Sequence, residues 1–207
     1  FFFFFFFFFV PDLTNTYGLH TNAVYGFLNI MLKILEEEKA DHLAVAFDLP
    51  APTFRHKMFD AYKGTRKPMP EELREQVPLM KEALTAMDIP TLTLEGFEAD
   101  DILGTVAKRC QKEGIDVAIV SGDRDLLQLA DEHIKIRIPK TSRGTTEIHD
   151  YYPEDVKREY QVTPQEFIDV KALMGDSSDN IPGVPSIGEK TATSLIAAYG
   201  SIENAYA

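Results

Sequence analysis

Eight carboxylates offer this chain its clearest chemistry. Asp48 ends the apolar run 43–47, and Glu98, Asp100 and Asp101 follow the run 91–94 through Glu95-Gly96-Phe97. Asp123 and Asp125 follow the run 115–120, and Asp176 and Asp179 lie in the loop Gly175-Asp176-Ser177-Ser178-Asp179-Asn180. Taken singly, each has an ordinary structural reading: Asp48 starts a turn, and acids at 98–101 favour a helix N-terminus. Asp125 caps a short helix, and Asp176 and Asp179 close Asx turns. Taken together they have another reading. Carboxylates crowded at one place repel unless cations neutralise them or protons do. Oxygen ligands without His or Cys select hard divalent ions such as Mg²⁺ or Mn²⁺. Two such ions suit in-line cleavage of a phosphodiester.

A basic segment points to the phosphate. Between Thr53 and Pro68, Arg55, Lys57, Lys63, Arg66 and Lys67 stand against the single acid Asp60, a local charge of +4 in a chain of net charge −12. Phe54, His56, Phe59 and Tyr62 alternate with these cations and offer faces for base stacking. A solvated amphipathic helix is the competing reading. The segment directly follows Asp48, which favours phosphate contact. A second phosphate feature is Ile181-Pro182-Gly183-Val184-Pro185-Ser186-Ile187-Gly188-Glu189-Lys190-Thr191, a turn opening into a helix. Backbone N–H groups at such a terminus suit a phosphate without reading bases. The alternative is a tight connection in which glycines only relieve strain.

Positioning these groups requires strands that end at one edge. Helical periodicity covers 21–38, with Val24, Phe27, Leu28, Met31, Leu32 and Leu35 as its stripe and Thr21 or Asn22 as cap. Short apolar runs at 43–47, 91–94 and 115–120 read as buried strands, and 134–138 and 145–148 as further strands around a turn at 142–144. Residues 70–87 and 99–112 read as helices, and from Pro153 only helices are expected, at 153–160, 164–174 and 189–199. Strand–helix alternation followed by a helical tail implies an α/β fold with a mostly parallel central sheet. In an open parallel sheet, ligands bind beyond the carboxyl ends of the strands. The acids stand at those ends.

The composition narrows the alternatives. The chain has 207 residues, 44% hydrophobic and 26% charged, which suits a globular fold rather than a disordered chain. The single cysteine excludes an internal disulfide and a cysteine zinc site and fits a reducing compartment. No segment reaches the length of a membrane helix, so no membrane partner is expected. A charge of −12 excludes coating nucleic acid by bulk charge. The nine phenylalanines at 1–9 have no strand or helix period and read as a placeholder or artefact.

Six segments resemble one family: GLHTNAVYGFLNIML, AVAFD, TFRHKMFDAYKGTRKPMPEEL, GFEADDILGTVA, IVSGDRDLLQL and ALMGDSSDNIPGVPSIGEKTA. They are similar to the 5′-nuclease (5′–3′ exonuclease/flap endonuclease) family, in the form found at the N-terminus of bacterial DNA polymerase I. The resemblance implies a PIN-like core over 10–150, with a basic helical arch at about 53–70. It implies a helical DNA-binding part over 151–207 that continues past Ala207. Asp48, Glu98 and Asp100 match acids of a first metal site, and Asp123, Asp125 and Asp179 those of a second, with Asp101 and Asp176 supporting. Arg55, Lys63 and Arg66 match catalytic cations of the arch, flanked by Lys57 and Lys67 as DNA contacts. Gly183, Val184, Ser186, Ile187, Gly188, Lys190 and Thr191 match a helix–three-turn–helix that grips duplex phosphates and takes K⁺ through backbone carbonyls.

The implied cofactors are two divalent cations, Mg²⁺ or Mn²⁺. The implied partner is DNA with a 5′ end or flap, cleaved for primer removal and repair in the bacterial cytoplasm, at the nucleoid. A monomer followed by a polymerase domain is expected. Family members begin with a strand ending in Asp-Gly, followed some residues later by an Arg; counted back from Leu13, that Asp falls before Phe1 and the Arg within the Phe run. The alternative is therefore a non-catalytic, structure-specific DNA-binding module. A haloacid-dehalogenase phosphatase is disfavoured because Leu126 follows Asp123-Arg124-Asp125 where that fold needs a small β-branched residue. A regulatory small-ligand module leaves the acids and the basic segment unexplained.

Overall fold

The computed structural model describes residues 13–142 and 145–207. The Phe run at 1–9, the place expected for an Asp-Gly strand and most of the turn at 142–144 lie outside these residues. The architecture is α/β with a helical C-terminal part. Helix α1 (Asn22–Glu38) leads into β1 (Val45–Ala46), α2 (Phe54–Met58), α3 (Glu71–Arg74), α4 (Gln76–Ala86) and β2 (Thr91–Leu92). Then follow α5 (Ala99–Lys112), β3 (Val117–Val120), a 3₁₀ helix (Arg124–Leu129), β4 (Ile134–Ser142) and β5 (Thr145–Tyr151). The last part holds α6 (Pro153–Tyr160), α7 (Pro164–Met174), β6 (Gly175–Asp176), β7 (Ile181–Pro182), α8 (Glu189–Tyr199) and α9 (Ile202–Tyr206).

The parallel pairings are β1 with β2, placing Val45 beside Thr91, and β3 with β4, placing Val117 beside Ile134. Strand β5 returns antiparallel to β4. Parallel pairing aligns the carboxyl ends of β1 and β2, while β3 pairs with β4 in a separate ladder, and the charge of Asp123 beyond β3 is felt at Asp100 on α5.

Three expectations change on the structure. Residues 70–87 form two helices interrupted at Glu75, because Pro78 lacks an N–H and its ring crowds the carbonyl four residues earlier. The buried face of α1 runs through Ala23, Phe27, Ile30, Met31 and Ile34, whereas Leu32 is exposed. The tail is not purely helical, since β6 and β7 form a two-residue antiparallel ladder. Thr21 is the N-cap residue of α1, one of the two expected, but its side chain makes no cap hydrogen bond, and the helix donors are met from elsewhere. The wholly buried Gln76 Oε1, on α4, accepts from Ala23 N–H at 2.8 Å and Val24 N–H at 3.3 Å, and its Nε2 donates to Asn22 Oδ1 and Glu72 O. A side chain fifty residues away thus satisfies donors that helix geometry leaves open.

Two apolar clusters hold the elements. One joins Phe27 and Met31 of α1 to Phe47, Leu73, Met80 and Leu84. The other joins Ile119, Ile134 and Ile136 of the sheet to Val156, Phe167, Val170 and Ile196 of the tail. The C-terminal helices therefore share a core with β3 and β4, which ties the loop at 175–183 to the carboxyl end of β3. Away from the acids, buried Arg137 on β4 donates to Asp150 Oδ1 and Glu37 Oε2, both at 2.8 Å, fastening α1 to the hairpin. The adjoining depression, about 500 Å³ and lined by Lys33, Glu37, Arg137, Asp150 and Arg158 among others, is walled by charges of both signs. Among the described residues no helix is long and apolar enough to cross a membrane.

Replacing Gln76 with Leu strands two buried helix N–H groups and is expected to cost about 2–3 kcal/mol of unfolding free energy. Urea denaturation measures this; a loss below about 0.5 kcal/mol would show that the cap is dispensable.

Candidate active site

The acids are placed by helix and strand ends, and their ordinary roles turn out to be the means of placement. Glu98 is the N-cap of α5, and its own N–H donates to Asp101 Oδ2 at 2.9 Å in a capping box. Asp48, just past β1, accepts from Ala99 N–H at 2.7 Å, so two chain-distant carboxylates share one helix terminus. Asp123, just past β3, caps the 3₁₀ helix by accepting from Asp125 N–H at 2.8 Å. Asp176 Oδ1 accepts from Ser178 N–H at 2.8 Å and Asp179 N–H at 3.1 Å, the Asx turn expected of that loop.

Cations of the chain link these groups. Lys63 Nζ meets Glu98 Oε1 at 2.7 Å, and Arg66 pairs with Asp179. The Arg55 guanidinium forks onto both oxygens of Asp101, at 2.7 and 2.8 Å. Lys171 Nζ, on α7, lies between Asp125 Oδ1 at 2.9 Å and Asp176 Oδ2 at 3.0 Å. The Tyr62 hydroxyl lies 3.1 Å from Glu98 Oε2 and 2.9 Å from Asp179 Oδ2. Acids from three stretches of chain, at 98–101, 125 and 176–179, are thereby connected through shared partners. Lys57 and Lys67 are exposed and pair with no described carboxylate.

The basic segment forms one short helix, α2, and then lies across the acids in turns. Its backbone is pinned to the 176–180 loop: Lys63 N–H donates to Asp179 O at 2.8 Å, and Asn180 Nδ2 donates to Ala61 O at 2.8 Å. Lys63 itself has φ +54°, a left-handed backbone uncommon for a residue other than glycine.

Electrostatics differ among the acids. Asp100 is pushed up to about 6, first by burial and then by the charge of Asp123, with Asp48 and Glu98 adding. Asp125 is raised chiefly by burial against the relief that Lys171 brings. Asp176 is held at about 2: although burial pulls upward, the Ser178 and Lys171 hydrogen bonds prevail. Asp101 is lowered in the same way, its Arg55 partner outweighing burial.

This donor set fits divalent cations in its chemistry. It is all oxygen, and at Asp100 it is under-neutralised by the described residues. Among the described residues no three carboxylates meet at a single point in the manner of a closed metal site. Lysine and arginine occupy the places between them instead.

The connection to α8 divides the residues expected there into two kinds. Gly183 is a packing glycine, since a Cβ on it would lie 2.3 Å from the Met174 carbonyl, and one on Gly175 would lie 2.3 Å from Gly183 N. Val184 N–H is spent on Leu173 O and Ile187 N–H on Val184 O, while Ser186 takes φ +67°. Gly188 is the N-cap of α8 and makes no side-chain cap. Helix geometry leaves the N–H groups of Glu189, Lys190 and Thr191 without intrahelical partners.

Two functional candidates had no sequence signal sufficient to pick them out. Lys171 is a lone lysine on a helix, and its place between two acids appears only in space. Tyr62 was legible as a ring among cations, yet its hydroxyl contacts depend on a loop more than a hundred residues away.

Known proteins show what the whole chain is similar to. The family described as 5′-3′ exonuclease, N-terminal resolvase-like domain matches residues 1–161, and 5′-3′ exonuclease, C-terminal SAM fold matches residues 162–207. DNA polymerase I of Bacillus caldotenax is 53% identical over 198 residues, covering 96% of this chain and 22% of the relative. The chain thus spans about a fifth of that relative's length. Among solved structures, a T5 5′-exonuclease with bound zinc ions is 27% identical, with TM-score 0.70 over 87% of this chain and 68% of that one. A bacteriophage T5 flap endonuclease in a pseudo-enzyme–product complex with DNA and metal ions is 27% identical, with TM-score 0.71 over the same shares.

Lys171→Ala removes the cation between Asp125 and Asp176. Without divalent ions the variant is expected to lose about 1–2 kcal/mol of stability, the pair being partly exposed. Saturating Mg²⁺ is expected to shrink that loss. Equal losses with EDTA and with Mg²⁺ in denaturant titrations would contradict the placement.

Proposed function

The chain belongs to the 5′–3′ exonuclease family, and from that premise we propose that it is the nuclease portion of a longer DNA polymerase I-like protein, hydrolysing DNA phosphodiesters at 5′ ends or flaps. One observation carries the reading: Lys63 pairs with Glu98 beyond β2 and lines one cavity with Asp48 beyond β1, and Arg66 pairs with Asp179, so acids and phosphate-binding groups occupy one place. In this reading Asp48, Glu98 and Asp100 hold one divalent cation and Asp123, Asp125 and Asp179 a second. Asp101 orients Arg55, and Asp176 shapes the loop bearing Asp179. When bound, Mg²⁺ or Mn²⁺ would supply Lewis acidity for hydrolysis and neutralise charge developing on the phosphate.

The chain's own residues do the rest. Lys63 and Arg66, on leaving Glu98 and Asp179, reach a phosphate oxygen and stabilise its growing charge. Arg55 stays forked to Asp101 and adds positive potential beside them. Lys57 and Lys67 extend the basic track along a 5′ single strand. The N-terminus of α8, with Lys190 and Thr191, receives a duplex phosphate through backbone N–H groups, and Gly183, Val184, Ser186, Ile187 and Gly188 give the turn its shape. A K⁺ ion at the turn's carbonyls, action as a monomer and work in the bacterial cytoplasm complete the proposal. The family matches span both parts of the chain, which favours a nuclease over a non-catalytic binding module.

Asp123→Ala and Asp179→Ala are each expected to lower Mg²⁺-dependent cleavage of a labelled 5′-flap at least about a hundredfold while flap binding in Ca²⁺ survives. Wild-type cleavage in either would defeat the assignment. Lys63→Ala is expected to reduce cleavage of flaps more than duplex affinity. Equal losses in both would contradict its placement on the reacting phosphate.

A further inference from the structure

Beside the acids lies a cavity of about 320 Å³ whose lining includes Phe97, His56, Leu49, Pro52, Lys63 and Glu98. Its volume suits a nucleoside-sized group. The walls are of two kinds. The loop after β1 supplies stiff apolar surface through Leu49, Pro50 and Pro52, and Phe97 supplies a ring that is 44% exposed. That ring is held from behind by Phe54, with centroids 5.6 Å apart, and Arg55 lies over Phe54 at 4.5 Å. The opposite wall carries His56. Its Nδ1 accepts from Thr53 N–H at 3.1 Å and lies 3.0 Å from Thr53 Oγ1. Nδ1 thus acts as acceptor and the ring proton is placed on Nε2, a donor that no described residue uses. The paired Lys63 and Glu98, with Asp48, complete the lining and join the cavity to the acids, where the phosphate of the proposed reaction sits.

A stacking surface, an unused N–H donor and a phosphate-binding cation in one lining together describe a nucleotide rather than an apolar ligand. We propose that this cavity takes the unpaired nucleobase adjoining the scissile phosphate on the single-stranded side, stacked on Phe97 and hydrogen-bonded by His56 Nε2. The side follows from position. The cavity is built from the loop after β1, the basic segment and the start of α5, whereas the duplex grip proposed at α8 belongs to the other part of the chain. Stacking tolerates every base, so the pocket secures the nucleotide without reading its identity. The inference rests on the nuclease reading above and adds a base subsite to it.

The test is a cycle between protein and substrate. Flap substrates carrying a natural base or an abasic residue at that nucleotide are cleaved by the wild type, Phe97→Ala and Phe97→Leu, with thermal melting to confirm folding. Leu preserves apolar volume and loses the flat face. The abasic residue is expected to lower wild-type kcat/KM about tenfold, in line with the stacking of one base. Each variant is expected to show a similar loss with the natural base and no further loss with the abasic one. Losses that multiply in the abasic–variant combination, or an abasic substitution without effect on the wild type, would overturn the subsite. Absence of cleavage by folded wild-type protein would instead overturn the nuclease reading itself.

Discussion

Mutual repulsion among carboxylates is the constraint around which the rest of this structure is arranged. Asp48, Glu98, Asp100 and Asp123 raise one another's cost, and the burial of Asp100 sharpens it. The fold answers by bringing a cation to most of the group: Lys63 to Glu98, Arg66 to Asp179, Arg55 to Asp101, and Lys171 to Asp125 and Asp176. Removing water from an unpaired charge costs far more than an exposed ion pair returns. Each cation is therefore a condition for packing acids this closely, more than a stabiliser in its own right. Asp48, Asp100 and Asp123 pair with no cation among the described residues, and at Asp100 burial, then the charge of Asp123, holds the pKa up at about 6.

The same arrangement accounts for how distant parts of the chain are kept together. Backbone hydrogen bonds fasten residues 61–63 to residues 179–180, and the left-handed Lys63 is one end of that fastening. On the other side, Gly175 and Gly183 bring two strands close enough that no Cβ fits between them. The loop bearing Asp176 and Asp179 is thus clamped by close backbone packing and by contacts with the basic segment. Its shared core with β3 and β4 sets its distance from Asp123. A pair of alanines at the two glycines would disturb the acids without touching one of them.

Much of this was legible in the chain. The strands ending at Asp48 and Asp123 announce themselves as short apolar runs, and α5 by its acidic first turn. What escaped was set by partners far off in sequence. Gln76 carries no mark that it caps α1, because any polar residue mid-helix looks alike until its neighbour is known. The exposure of Leu32 depends on which elements cover α1, and helical spacing alone allows several neighbouring faces. The break at Glu75 was written in Pro78, whose effect acts one turn before its own position.

Residue types and their order determined that the chain holds oxygen ligands at strand ends, a basic segment between two of them, and a glycine-shaped turn ahead of a helix. These are local properties: periodicity, turn chemistry and charge need only neighbouring residues to be read. Tertiary structure decided which cation meets which acid, that Lys171 lies between Asp125 and Asp176, and that a cavity opens behind Phe97. Those outcomes depend on distances between segments up to a hundred and nineteen residues apart, the separation of Ala61 from Asn180. Such distances are products of packing the whole chain at once, and no stretch of it encodes them alone.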